Sequence, residues 1–560
     1  MESTPFIIVD LPTVQDSCSA SDKPLMFDTE TDGLYGAVTL AQFYKSDWNT
    51  VLIVEDPDTD ELIKLLDTQR VVMHNAHYDI TTIRKHSFSP DWIPENFQDT
   101  FLLSRLHWFR EASFSLDSVM KYALGFDPYE AQKLDKKTLQ KSKWKSGKLI
   151  DEQMIYAATD VYYMPRVWNG CKDHVKNMNY KLDKQTLENC LVMQNKGFPV
   201  IEQRRSEMFE ENQLAFEAMD MPINVNSYQQ VRPYIGEEQS DGLALAAFEI
   251  LGNERAGKVI KAKKYLKTNS FLKKFKSDDG RIYGKFSPSA RSGRLTSKDQ
   301  NLQQLPRNTK TVFGYSDSDD RVLVYADFSQ LELRCACAVV GESKMEKLFR
   351  KGVDLHSFTA ETIFGEVTKE LRTIAKTCNF NLIYGGSARM LGSILIKTAG
   401  IDLKQEELIR LVNEWKSLWK SIAAWQQQGI ADWDHGIAWK TPMRRRYVGK
   451  QMTDQLNIQI QGAGADVAKW AFHKIMTSLK DVADAEVVNF IHDSYIIDCS
   501  DNPDTYEQVV DIVGTSMKQS WEEMSQYFTI KDLPNPVNVF VGKNWGEIEA
   551  EKNIIYSKEF

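Results

Sequence analysis

Val322-Leu323-Val324-Tyr325-Ala326-Asp327-Phe328-Ser329-Gln330-Leu331-Glu332-Leu333-Arg334 is the stretch on which the fold turns. Its apolar opening, Val322 to Tyr325, predicts a strand, and the run from Asp327 onward leads into a helix. Asp327 therefore stands where a rigid backbone can fix a cation-holding carboxylate. Downstream, Arg372, Lys376, Phe380 and Tyr384 recur every four residues, which on a helix of 3.6 residues per turn makes one slowly drifting ridge of two cations and two rings. An ordinary amphipathic helix with its aromatics in the core would carry its cations on the opposite face. Cations and rings along one ridge suit a nucleotide, with its triphosphate against Arg372 and Lys376 and its base or sugar against Phe380 and Tyr384. Further on, Ile491-His492-Asp493-Ser494 lies between Val487-Val488 and Tyr495-Ile496-Ile497, the layout of a tight hairpin carrying an acid.

Moving outward to the start of the chain, the first 170 or so residues read as α/β. Ile7-Ile8-Val9, Pro24 to Asp28 and Val51 to Val54 are short apolar strands, and Glu61 to Leu66 and Phe101 to Trp108 carry helical periodicity. Asp28-Thr29-Glu30 sets two carboxylates at i and i+2 after a strand, so both project from one side of an extended chain. A solvated turn would show the same pair. Its company decides: His74-Asn75-Ala76-His77-Tyr78-Asp79 closes the β-like Val71-Val72-Met73, and Tyr156 and Asp160 share a helical face at i and i+4. Four acids and a tyrosine make the oxygen-rich cage that phosphodiester hydrolysis by two divalent ions requires.

D-x-E, N-x-x-x-D and Y-x-x-x-D in that order resemble the three motifs of the DnaQ-type 3′–5′ proofreading exonucleases. The resemblance implies Asp28, Glu30, Asp79 and Asp160 as metal ligands, Tyr156 orienting the attacking water and Asn75 positioning the motif or the substrate strand. The three C-terminal segments resemble motifs A, B and C of the family A DNA polymerases. Supporting matches are Ser292-Gly293-Arg294-Leu295-Thr296-Ser297, Asn301 to Pro306, Asp354-Leu355-His356, Arg444-Arg445-Arg446-Tyr447, Asn457 to Asp466 and Gly542-Lys543-Asn544-Trp545. This second resemblance implies that Asp327 and Asp493 hold two catalytic Mg²⁺ ions, as the exonuclease cage would, with Mn²⁺ as a substitute. It implies Lys376 on the triphosphate and as proton donor to the leaving group, Arg372 and His356 on the outer phosphates, and Gln330 beside the nucleotide. Glu332 would be the steric gate against a ribose 2′-hydroxyl, and Tyr384 would sit where the template base enters. Arg294, Gln304, Asn457 and Gln461 would touch minor-groove acceptors, which every correct pair presents, and His492 would also face DNA. The chain departs from the family at Ser494, where motif C usually has Glu, at Asn381 and Thr373, and at Phe380, where some phage members carry Tyr.

The resemblances together imply a multidomain α/β and α+β protein. A ribonuclease-H-like exonuclease domain is expected over 1–178, followed by a polymerase right hand. Its parts are the thumb and start of the palm over 179–318, the palm with motif A over 319–340, the fingers over 341–435 and the palm again over 436–560. Five hundred and sixty residues suit these parts, at about 100–200 residues per domain, and leave no expected room for a 5′-nuclease. Seven scattered cysteines without a C-x-x-C pair argue against disulfides and structural zinc. No stretch is apolar enough to span a membrane.

The formal charge of −9 argues against a nucleic-acid partner only as an average. Between Ala131 and Lys148 seven lysines face one acid, Asp135; from Glu254 to Lys276 eight lysines and Arg255 face Glu254 alone; Arg444-Arg445-Arg446 makes a third cluster. Single runs are ordinary solvated helix faces, but three of them favour a surface that tracks phosphates. The expected partners are primer-template DNA and deoxynucleoside triphosphates, with helicase-primase and single-strand-binding protein in a phage replisome. A monomer in the cytoplasm of the infected host is the expected state. The competing reading, opened by Ser494, is an exonuclease or DNA-binding factor whose polymerase half is only a duplex clamp.

Overall fold

Short apolar strands are stable only when their backbone groups and side chains find partners in a sheet, and the computed structural model, which describes residues 3–277 and 279–560, pairs them in two compact units. The first unit runs to Asn195 and includes Ser287–Ser289; the second comprises Lys196–Phe286 and Ala290–Phe560.

In the first unit β1 (Phe6–Ile8), β2 (Leu25–Thr31), β3 (Val38–Tyr44), β4 (Val51–Glu55), β5 (Val71–Met73) and β6 (Phe97–Asp99) form one sheet in the order β1-β4-β3-β2-β5-β6. β3 runs antiparallel to β2 and β4, while β1, β5 and β6 join in parallel. This is the mixed sheet expected of a ribonuclease-H-like domain. Both faces are covered, one core containing Phe27, Phe43 and Leu103, the other Met26, Tyr156 and Val161. β2 does not end at Asp28, where the apolar run ends. Pairing with β3 carries it on, with Asp28 opposite Gln42 and Glu30 opposite Leu40, so both carboxylates belong to the strand. The unit also extends past residue 178, because helix Met178–Lys196 is continuous and its Tyr180, Leu187 and Leu191 enter the first core.

The second unit is built on a five-stranded antiparallel sheet, the expected palm. β7 (Arg321–Phe328), β8 (Ala485–Ile491), β9 (Ser494–Ser500), β10 (Val537–Gly542) and β11 (Tyr556–Glu559) are ordered β8-β9-β7-β10-β11. Helix Met452–Ser478 packs on helix Pro503–Ser525 and on Leu331–Val340. Ahead of this sheet, helix Glu202–Glu217 packs on Glu254–Lys274, and Val225, Val231, Leu245 and Val259 make a small core of their own. Lys258, Lys261, Lys264 and Lys267 form an exposed stripe at three-residue spacing on the second of these helices. The expected fingers segment, 341–435, is divided among several helices. Glycines 365 and 400 end their helices in the left-handed conformation, at φ 82° and 67°, which L side chains adopt only with strain.

One basic cluster reads differently in three dimensions. Arg444 and Arg446 are exposed, but Arg445 is buried, its guanidinium 3.6 Å from Asp466, which also lies 2.9 Å from Lys469 Nζ. Three consecutive arginines therefore do not make a phosphate-facing patch, because the strand pairing of Trp439–Lys440 with Arg446–Tyr447 turns the middle residue inward. Removing one member of a buried ion group costs about 3–5 kcal/mol. Asp466→Ala should lower the denaturant stability of the second unit by that order, read from tryptophan fluorescence, while Arg444→Ala, at an exposed arginine, should leave it unchanged.

Candidate functional site

Alternation along β2 turns Asp28 and Glu30 to the same face, both half-buried, while Thr29 and Thr31 are buried. Helix Asp151–Tyr162 brings Asp160 to them, and one oxygen of each of Asp28, Glu30 and Asp160 lies within 4.8 Å of the others. Asp79, the fourth expected ligand, stands outside this set at the start of helix His77–Lys85; its carboxylate accepts from Thr29 Oγ1 at 2.7 Å. Burial, and after it the charges of Asp79, Asp160 and Glu30, pushes the Asp28 carboxyl well up. Burial and the Asp160 and Asp79 charges do the same to Glu30. Asp79 and Asp160 are pushed up to about 7 by burial, which outweighs hydrogen bonds from Thr29 and Tyr129. Clustered carboxylates that resist ionisation side by side are the donor set a hard divalent cation fits, since its charge reverses that logic.

Tyr156 is buried one helical turn before Asp160, its ring 5.4 Å from Tyr129 and 5.9 Å from Trp144. Asn75 is exposed in a left-handed turn at φ 64°; its backbone N–H donates to Asp99 Oδ1 at 3.0 Å. Asp99, which caps helix Thr100–His107 and also receives the Ala76 N–H, was not singled out from the sequence, and neither was Tyr129. A cap on a distant turn leaves no local spacing to read.

In the second unit Asp327 lies near the end of β7, directly across from Ser494 of β9 and, on its other side, from Asn538 of β10. β8 and β9 are joined by His492 and Asp493 alone, His492 in the left-handed region at φ 57° and exposed. The hairpin so places Asp493 next to the partner of Asp327. Ser494 is buried, and its hydroxyl donates to Ile491 O at 3.1 Å, closing the turn. Burial first, then the charges of Asp493 and Glu549, pushes Asp327 well up, with Lys310 opposing. Asp493 is pushed up to about 6 by burial and Glu332, against Arg294. Glu549 and its ion-pair partner Lys310, 2.5 Å away, thus belong to this electrostatic neighbourhood, although neither was expected there.

The expected ridge is present on helix Lys369–Leu382: Arg372 and Lys376 are exposed and Phe380 half-buried. Tyr384 lies just beyond the helix, half-buried, and donates to Glu332 Oε2 at 2.6 Å; Arg294 donates to the other Glu332 oxygen, and Gln461 also reaches the Tyr384 hydroxyl. Glu332 is thereby held from two sides. Gln330 begins helix Leu331–Val340 in the left-handed region. Gln304 is exposed, while Asn457 and Gln461 are half-buried one turn apart on helix Met452–Ser478.

His356, expected on the outer phosphates, is packed inside the second unit. It is buried, its Nδ1 3.1 Å from Asn379 Nδ2 and its ring 5.7 Å from Phe380, and burial pushes its pKa down to about 4. Arg372 Nε lies 2.9 Å from Asp354. Against the cost of burial, hydrogen bonds from Ser357 and Arg372 hold that carboxyl down at about 2.

A carboxylate cage in one unit, and in the other a carboxylate pair in the same electrostatic neighbourhood as Glu332, suit a protein with a nuclease half and a nucleotidyl-transfer half. Residues 200–547 match the family model for DNA polymerase family A and residues 6–175 that for the 3′–5′ exonuclease, so the chain belongs to the family A DNA polymerases and carries a 3′–5′ exonuclease domain. The DNA polymerase I of Aquifex aeolicus is 26% identical over 93% of this chain and 95% of its own length. The DNA polymerase of Bacillus phage SP01 is 28% identical over 46% of this chain and 30% of its own. The polymerase domain of Pol1 from M. smegmatis, solved in complex with DNA primer-template and dNTP, shares the fold with a TM-score of 0.74 at 18% identity, covering 97% of this chain and 99% of that one.

A carboxyl whose folded pKa exceeds its unfolded one stabilises the fold below the unfolded value and loses that contribution as pH rises through the folded value. For Asp160 the window runs from about 3.9 in the unfolded chain to about 7 in the folded one. In EDTA, the first unit should melt at a lower temperature at pH 8 than at pH 5, and Asp160→Asn should narrow the difference.

Proposed function

We propose that this polymerase extends primer 3′ ends on a DNA template and trims mismatched ends at the cage of the first unit, in the service of phage DNA replication. The observation that carries the polymerase reading is the strand pairing that sets Asp327 across from Ser494 and beside Asp493. In each half a pair of Mg²⁺ ions, replaceable by Mn²⁺, would when bound activate the attacking oxygen and offset charge at the phosphate. Asp327 and Asp493 would hold them in the second unit. Asp28, Glu30 and Asp160 would do so in the first, with Asp79 joining from its hydrogen bond to Thr29.

The residues of the chain do the rest. Arg372 and Lys376 bind the triphosphate from the exposed side of their helix, and Lys376 carries the proton destined for the leaving group. Phe380 packs on the sugar. Glu332, fixed by Arg294 and Tyr384, occupies the space of a 2′-hydroxyl and so selects deoxynucleotides. Gln304, Asn457, Gln461 and His492 face the duplex, and Gln330 the incoming nucleotide. At the other site Tyr156 orients the attacking water and Asn75 the frayed strand. His356 acts as a neutral support behind Phe380. Primer-template DNA and deoxynucleoside triphosphates are the substrates. The likeness to the Bacillus phage SP01 polymerase supports the phage role. The proposed setting is a monomer working beside helicase-primase and single-strand-binding protein in the host cytoplasm.

With Mg²⁺ and four deoxynucleotides the chain should extend a primed template; degradation without any extension would instead make the second unit a duplex clamp. Asp28→Ala combined with Glu30→Ala should reduce 3′ degradation roughly a thousandfold or more, at about tenfold per 1.36 kcal/mol of lost metal stabilisation, and leave extension intact. Phe380 offers no hydroxyl to replace the hydrogen bond lost with a 3′-OH. Equimolar dideoxynucleotides should therefore terminate extension weakly, and Phe380→Tyr should make termination strong.

A further inference from the structure

The helical turn Pro128–Ala131 is remote from all three exonuclease motifs in sequence, yet it delivers Tyr129 to the carboxylate cage. Asp127 fixes the turn by accepting from the backbone N–H groups of Tyr129 at 3.0 Å and Glu130 at 3.3 Å. Tyr129 is 1% exposed, and its phenol donates to Asp160 Oδ1. Its other acceptor within reach, Met120 Sδ at 3.8 Å, is weak, so the carboxylate takes the stronger bond. Above the ring, Lys136 Nζ lies 5.1 Å from the centroid and 2.6 Å from Asp117 Oδ1. Lys136 is also the one lysine between Lys133 and Lys148 that is not exposed. A cation over a phenol draws on its π-density and strengthens its O–H as a donor.

We propose that Tyr129 is a positioning residue of the exonuclease metal site, and that Lys136, held by Asp117, acts through it. The hydrogen bond takes one oxygen of Asp160 and leaves that carboxylate a one-oxygen ligand of defined orientation, as partners behind metal ligands do generally. A tyrosine serving only as core would need its ring and not its hydroxyl. Of the lysine run, Lys136 then works on the site, while the six exposed lysines are left for the strand.

This inference rests on the reading of Asp28, Glu30 and Asp160 as a divalent-metal site. It is tested in the full chain carrying Asp327→Asn and Asp493→Asn, so that a Mn²⁺ titration followed by calorimetry reports the cage. Tyr129→Phe, which keeps the ring, should weaken Mn²⁺ binding about ten- to a hundredfold. In the otherwise native chain it should slow degradation of single-stranded 3′ ends with the KM for DNA unchanged, while primer extension keeps its rate. Lys136→Met should weaken Mn²⁺ binding by a smaller factor, and Lys145→Met, at an exposed lysine of the run, should leave it unchanged. Parental Mn²⁺ affinity in Tyr129→Phe would overturn the positioning role alone, as would a lowered melting temperature with affinity intact. A parent that binds no Mn²⁺ at the cage would overturn the metal reading along with it.

Discussion

Two carboxylates that repel each other in apolar surroundings have to be held together by something other than their own interaction. The antiparallel pairing of β7 with β9 does this for Asp327 and Asp493. Val322, Leu323 and Val324 on one strand and Tyr495, Ile496 and Ile497 on the other are all buried, each worth about 1.5–3 kcal/mol by removal from water. That apolar gain outweighs the repulsion at the end of the sheet, and a divalent cation, if bound there, would convert the repulsion into affinity. The remaining parts of the second unit are arranged with reference to this point. Glu332 on the helix after β7, Arg294, and Tyr384 beyond the cationic ridge are tied to one another, and the first two also act electrostatically on Asp493.

The first unit solves the same problem with a different sheet. β2 is paired on both sides, its Leu25, Met26 and Phe27 buried, and the strand continues through Asp28 and Glu30 because β3 supplies partners for their backbones. Here the charges come from a strand and two helices, and the neutral groups behind them, Thr29 and Tyr129, hold Asp79 and Asp160 in place. The net charge of −9 accordingly mixes two populations. Some acids are drawn into the two cages, while lysines such as Lys258, Lys261, Lys264 and Lys267 stay in water, where long side chains with strongly hydrated heads belong.

Much of both sites was legible in the sequence because their signals are local. Asp-x-Glu on a strand, a cation-ring spacing of four on a helix and an acid in a two-residue turn each depend on one element and its period. The ridge of Arg372, Lys376 and Phe380 lies on its helix as read, and Asp493 sits in the hairpin as read. What misled was exposure. His356, expected on the outer phosphates, is buried and packed against Asn379 and Phe380. Arg445 looks like a third of a basic patch, yet it is buried against Asp466. Neither outcome follows from spacing, because a single buried polar residue is decided by whichever distant partner the fold brings to it.

The sequence by itself determined the family, the mixed architecture, the order of the two halves and the grouping of Asp28, Glu30 and Asp160, because each rests on periodicity or short motifs that act within one element. Only the tertiary structure decided that β2 runs on through Glu30, that Asp79 is held by Thr29, that Glu332 is gripped by Arg294 and Tyr384, and that Tyr129 stands behind Asp160. These are contacts between residues far apart along the chain. Their free energy comes from burying a polar group only where its partner is already in place, and that condition exists only once the sheets and helices have packed.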